Sequence, residues 1–253
     1  MAQLTVRPHL YTHEGAAASV LSPEQTLRRS VMACLLWEDT FYEEGLDIAS
    51  RILSAIESVP PEKVVAMAIE AREEMKLRHV PLLIVRGLAA LPRYRKLVAY
   101  ALARVIQRPD ELSEFLSIYW KHKRQPLAAQ VKKGLAAAFN RFDEYALAKY
   151  NRDNPIKLRD VLFLCHAKPR DEEQAAVWKK LASNSLATPD TWEVALSAGK
   201  DKRETWMRLI AEGKLGALAF LRNLRNMMES KVPDVVIRES LQHLSVDRVL
   251  PFR

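Results

Sequence analysis

The chain has 253 residues, is 49% hydrophobic, and carries 39 Lys and Arg against 31 Asp and Glu, for a net charge of +8. A substantial core is within reach, in one domain or an extended array. Two cysteines, Cys34 and Cys165, exclude a disulfide framework and read as reduced core thiols of a cytosolic protein. With no CxxC pair and no ligand spacing among the six histidines, no zinc site, metal or cofactor is expected.

Met1 to Gly15 lacks the charged-then-apolar design of a signal peptide, and residues 1–21 are expected to form a flexible extension. Ser22-Pro23-Glu24-Gln25 then reads as a helix opening, with a hydroxyl N-cap, proline in the first turn and a polar side chain at N3. Similar openings follow at Pro60-Pro61-Glu62, Arg108-Pro109-Asp110-Glu111, Thr188-Pro189-Asp190 and Val232-Pro233-Asp234, where carboxylates face the positive end of the helix dipole. Between them, apolar residues spaced by three and four predict helices over Leu46–Val59, Glu62–Lys76 and Leu97–Gln107. The apolar run Val80–Leu91 is interrupted by Pro81, Arg86 and Gly87, too short for a membrane span.

Glycine is scarce and no Asn-Gly or Asp-Gly hairpin pair occurs, so strands are not expected. Val161–Leu164 reads as helix from its flanks. Many short helices with Pro-led turns and no heptad seam predict an all-α fold, a HEAT-like helical-repeat solenoid forming an arc or partial ring. No linker divides the chain after Ser22, so residues 22–253 are expected to form one domain. Trp37, Trp178, Trp192 and Trp206 read as inter-helix anchors. Asn223, within Arg222-Asn223-Leu224-Arg225-Asn226-Met227, is expected in a buried polar network.

The charge is unevenly distributed. Residues 76–170 hold 20 Lys and Arg against 7 Asp and Glu, whereas residues 1–75 are acidic and 171–253 nearly balanced. Such a concentrated field attracts polyanions. Arg93, Arg95 and Lys96 surround Tyr94 at a helix start, where the dipole disfavours cations. Lys121, His122, Lys123 and Arg124 end another helix, Lys132-Lys133 follows, and then come Lys149, Arg152, Lys157, Arg159, Lys168 and Arg170. Tyr94, Tyr119, Trp120 and Tyr150 interleave with these cations as potential stacking partners for unpaired bases. No nucleophile elbow, Walker A loop, dinucleotide fingerprint, HExxH or kinase loop is present, and Glu43-Glu44, Glu73-Glu74 and Glu172-Glu173 read as solvated helix charges, so no enzyme is expected.

Three ordered motifs carry a family resemblance. Leu147-Ala148-Lys149-Tyr150-Asn151-Arg152, Lys157 to Leu162 and Cys165-His166-Ala167-Lys168-Pro169 together resemble the TROVE module of the Ro autoantigen family, as does Leu215 to Met227. Arg29 to Tyr42 resembles the N-terminal helix of its bacterial members. The resemblance implies a ribonucleoprotein component that binds small non-coding RNA of the Y type and captures misfolded RNA with single-stranded 3′ ends, with RNA-processing proteins as further partners and no membrane. It carries Lys149 and His166 over as RNA contacts, and Arg152 more weakly because the family cation is displaced by one position. Lys157, Arg159 and Lys168 join them on charge grounds, with Lys121, Lys123, Arg124, Arg93, Arg95 and Lys96. Family members continue into a von Willebrand A-like domain with a metal site, whereas this chain stops at Leu250-Pro251-Phe252-Arg253, so an open arc without metal is expected. The alternatives are a HEAT-like protein scaffold and a HEAT-like DNA glycosylase.

Overall fold

The computed structural model describes residues 10–11, 14–18, 21–32, 45–121, 123–151, 153–189, 191–197 and 201–243. Cys34, Trp37, Glu43, Glu44, His122, Arg152, Asp190, Leu250–Arg253 and most of the Arg29–Tyr42 motif lie outside them. The described residues are all-α, with fifteen α-helices. The exceptions are a 3-10 turn at Pro92–Tyr94 and a two-residue antiparallel ladder in which Leu10–Tyr11 (β1) pairs with Ala17–Ala18 (β2).

The chain divides into two compact units. The first spans residues 1–142 and 151–178; the second spans residues 143–150 and 179–253. In the first unit, α1 (Pro23–Met32) opens as its sequence dictates: Gln25 N–H donates to Ser22 Oγ (3.2 Å), and Ser22 N–H donates to Gln25 Oε1 (2.9 Å). Then come α2 (Gly45–Ile56), α3 (Pro61–Glu73), α4 (His79–Ala90), α5 (Arg95–Val105), α6 (Asp110–Tyr119), α7 (Ala129–Phe139) and α9 (Leu158–Cys165). Each helix packs on the next but one as well as on a chain neighbour. Thus α3, α5 and α7 form one rank, α2, α4 and α6 the other, and α9 packs on both α6 and α7.

The sequence of α4 explains its central place. Apart from Arg86 it is apolar almost all round, and a helix without a polar face must be enclosed. Leu82, Ile84, Leu88, Leu102, Phe115, Leu135 and Phe139 are buried around it and across the two ranks. At Gly134, α7 comes so close to α5 that an added Cβ would lie 2.8 Å from Leu102 Cβ and 3.0 Å from the Ala99 carbonyl oxygen.

A buried ion cluster ties the ranks together, and here the sequence reading is corrected. Asp110 and Glu111 do not merely face a helix dipole; both are buried. Glu111 accepts from Arg72 Nη2 (2.6 Å) and from the backbone N–H groups of Gln107 (2.8 Å) and Arg108 (3.0 Å). Arg72 also donates to the Val105 carbonyl (3.0 Å), and Arg78 reaches Asp110 and Glu114. Glu73 is likewise no solvated bystander, since Arg104 holds it with paired bonds of 2.8 and 2.7 Å.

The second unit contains α8 (Glu144–Tyr150), the end of α10 (Glu172–Ala182), α11 (Trp192–Ser197), α12 (Lys202–Ala211), α13 (Ala217–Arg222), α14 (Leu224–Glu229) and α15 (Asp234–Gln242). Its core gathers Trp206, Leu209, Phe220, Met227, Val232 and Ile237, with the Trp192 ring stacked on Trp206 at 6.2 Å. Helix α11 starts later than Thr188-Pro189-Asp190 suggests: Thr191 Oγ1 accepts from Val194 N–H (3.3 Å), and the helix runs from Trp192. Asn223 behaves as expected. It is buried at the break between α13 and α14, donating Nδ2 to the Ala219 carbonyl (2.8 Å) and accepting from Asn226 Nδ2 (3.0 Å).

Candidate nucleic-acid interface

Folding spends many of the middle-third cations on internal partners. Arg78 and Arg108 serve the buried carboxylates, Arg104 serves Glu73, and Arg141 donates to the Ile106 carbonyl. Arg93 donates to the Glu57 carbonyl and lies over the Tyr94 ring. Tyr94 is fully buried, its hydroxyl within hydrogen-bond distance of the Ile56 (2.9 Å) and Val59 (2.8 Å) carbonyls. The expectation that Tyr94 stacks on bases is therefore corrected: it anchors α2 to α5. Lys157 pairs with Asp153 (2.9 Å), holding that carboxyl below its usual range, and Arg159 lies 3.8 Å from Asp160.

Arg95, Lys96, Lys121, Lys123, Arg124, Lys132, Lys133 and Lys168 make no salt bridge among the described residues. Three elements bring some of them together in the first unit. Helix α6 ends at Tyr119, one turn earlier than the cation run suggests, so Lys121, Lys123 and Arg124 lie in the connection to α7. Trp120 Nε1 donates to the Gln125 carbonyl (2.8 Å), and the Arg124 guanidinium sits 5.2 Å from the Trp120 ring. Helix α7 brings in Lys132 in its first turns, and α9 ends against them.

The end of α9 is unusual. His166 adopts a left-handed conformation (φ 53°, ψ 41°), which normally selects glycine, and this turn places His166 beside Phe163. A groove of about 550 Å³ results, lined by Trp120, Arg124, Leu127, Lys132, Phe163 and His166. Phe163 is 61% exposed, an open apolar ring beside unpaired cations. Cys165, next to His166 in the chain, is buried, and burial pushes its thiol above the usual range.

The groove thus unites Arg124, Lys132 and His166 with Trp120. Arg93, Arg95 and Lys96 are not among its lining residues. Lys149 belongs to the second unit, on α8, where its ammonium lies 5.9 Å from the Tyr145 ring and 5.8 Å from the Tyr150 ring. Phe163 and Tyr145 were missed in the sequence; each falls within an otherwise ordinary helical pattern, and only its exposure sets it apart. No cluster of three or more His, Cys, Asp or Glu among the described residues is arranged to hold a metal ion, and no helix there is long and apolar enough to cross a membrane.

The described residues therefore combine an all-α fold with a cationic, aromatic groove. Comparison with known proteins is more particular. The TROVE domain model matches residues 183–253, a stretch that includes the Leu215–Met227 motif. Telomerase protein component 1 of Rattus norvegicus and of Mus musculus are each 22% identical over 293 aligned positions, covering 80% of this chain. The chain spans 11% of the length of these relatives. Residues 183–253 thus match the TROVE domain family, and the chain shows distant homology to telomerase protein component 1.

Proposed function

We propose that the protein binds small non-coding RNA of the Y type, together with misfolded RNA bearing single-stranded 3′ ends, as a cytoplasmic ribonucleoprotein component in RNA quality control or repair. The observation that carries this reading is the groove of the first unit, where Arg124, Lys132 and His166 stand beside Trp120 and the exposed Phe163. Cations of this kind release condensed counterions on meeting phosphates, and open aromatic rings accept unpaired bases. Lys149, between Tyr145 and Tyr150, supplies a second contact of the same composition, and Lys121, Lys123 and Lys168 add exposed charge near their own helix ends. The packing of helices in two alternating ranks supports a HEAT-like solenoid within the first unit.

A mobility shift tests the reading, comparing structured RNA carrying a 3′ tail with blunt duplex DNA across a salt series. RNA is expected to bind tighter. Lys132→Ala and Lys149→Ala are each expected to lower affinity and to reduce the salt slope by about one unit, as one phosphate contact would. Equal affinity for both nucleic acids would discard it.

A further inference from the structure

The first unit has a second groove of opposite character. It runs between α3 and α5, about 430 Å³ in volume, with Val65, Ile69 and Leu97 among its apolar lining residues. Tyr100, 54% exposed, forms one wall. That ring is held in place: the Arg104 guanidinium donates to its hydroxyl (3.1 Å) and is itself gripped by Glu73. Along α3 the rim carries Glu62, Glu70, Glu73 and Glu74, against a single lining cation, Arg104. Glu70 is engaged by Arg28, whereas the exposed Glu62 and Glu74 make no salt bridge among the described residues.

An apolar floor, a braced aromatic wall and a surplus of carboxylates repel a polyanion and favour a cationic amphipathic ligand. The dimensions narrow the choice. Glu62 and Glu74 are twelve residues apart along α3, about 18 Å at helical rise, which is three turns of a partner helix lying in the groove. We propose that this groove docks a basic amphipathic helix of a partner protein. Apolar side chains at i, i+4 and i+7 seat on the floor and against Tyr100, and Lys or Arg side chains at either end meet Glu62 and Glu74. The assignment stands independently of the RNA reading, because it uses a different face and the opposite charge.

The test uses the full chain and a fluorescently labelled helical peptide of about fourteen residues, with leucine at alternating three- and four-residue spacing and lysines near both ends. The control is a peptide of identical composition with its leucines spread round the helix. Anisotropy is expected to show tighter binding of the patterned peptide. Tyr100→Ala is expected to weaken it about tenfold or more, as loss of an aromatic anchor does. The Glu62→Lys/Glu74→Lys pair is expected to weaken it at low salt, with the difference shrinking as salt rises. Tyr100 is exposed, so its variant folds normally, and circular dichroism verifies this. Equal affinity for both peptides would overturn the proposal, as would an unaffected Tyr100→Ala. RNA binding is measured on the same variants; a fall for Tyr100→Ala would mark the face as a nucleic-acid surface and overturn the proposal too.

Discussion

Glu111 is a carboxylate taken out of water beside two guanidinium groups, and its value lies in what its removal would strand. Glu111→Ala would leave Arg72 buried without its carboxylate and free the N–H groups of Gln107 and Arg108. A loss of about 3–5 kcal/mol is expected, read from urea unfolding, because an uncompensated buried charge costs more than the pair contributes. His166 should behave in the opposite way. A side chain in the left-handed region costs about 1–2 kcal/mol that glycine avoids. His166→Gly is therefore expected to leave stability unchanged or raise it by up to about 1 kcal/mol while lowering RNA affinity. A drop in melting temperature would make His166 a structural residue instead. The sequence marked His166 through its motif, but its conformation was invisible because the residue type argues against it.

At the scale of elements, the closeness of α5 and α7 makes a sharp prediction. Gly134→Ala would force a Cβ into helix backbone and Leu102, which cannot retreat, and is expected to cost about 1–3 kcal/mol. Gly87→Ala meets only the side-chain ends of Ile56 (2.8 Å) and Leu53 (2.9 Å), which can turn aside. Denaturant midpoints of the two variants should therefore fall in that order, with Gly134→Ala the lower. Helix starts were legible wherever proline stands in or next to the first turn, as at Pro23, Pro61, Pro109 and Pro233, because that chemistry is local. Thr188-Pro189-Asp190 misled because Thr191 caps instead, and a hydroxyl two residues past the proline looks equally competent in sequence.

At the scale of the molecule, the cationic surplus was legible, but not its division between structure and surface. Arg72, Arg104 and Arg141 find partners 31 to 39 residues away, on other helices or at their ends, whose pairing no local pattern encodes. What remained after folding was a shorter set of open cations, and two aromatic rings that composition could not single out. The ion pairs also set the acid limit. Burial pushes the Glu114 carboxyl up, but His79, Arg78 and Arg108 outweigh this and hold it below its usual range; Arg104 does the same for Glu73 against a weaker burial effect. Depressed carboxylates stabilise the fold above their unfolded pKa of about 4.3, and that stability is lost as pH falls through the folded values. Urea midpoints are therefore expected to be level near neutrality and to fall below about pH 4.5. Glu114→Gln should lower the neutral midpoint and flatten the acid decline.

The second unit takes α8 from the middle of the chain and its other helices from the end, which has a consequence for a protein made from N- to C-terminus. All of the first unit's residues have left the ribosome by Trp178. Helix α8, seven residues long and too short to persist alone, emerges earlier. The partners of its first residue, Lys180 Nζ at 2.9 Å and the Ala187 N–H, emerge only after Trp178. The nascent chain therefore exposes every residue of the groove-bearing unit before the residues that hold the start of α8 have emerged.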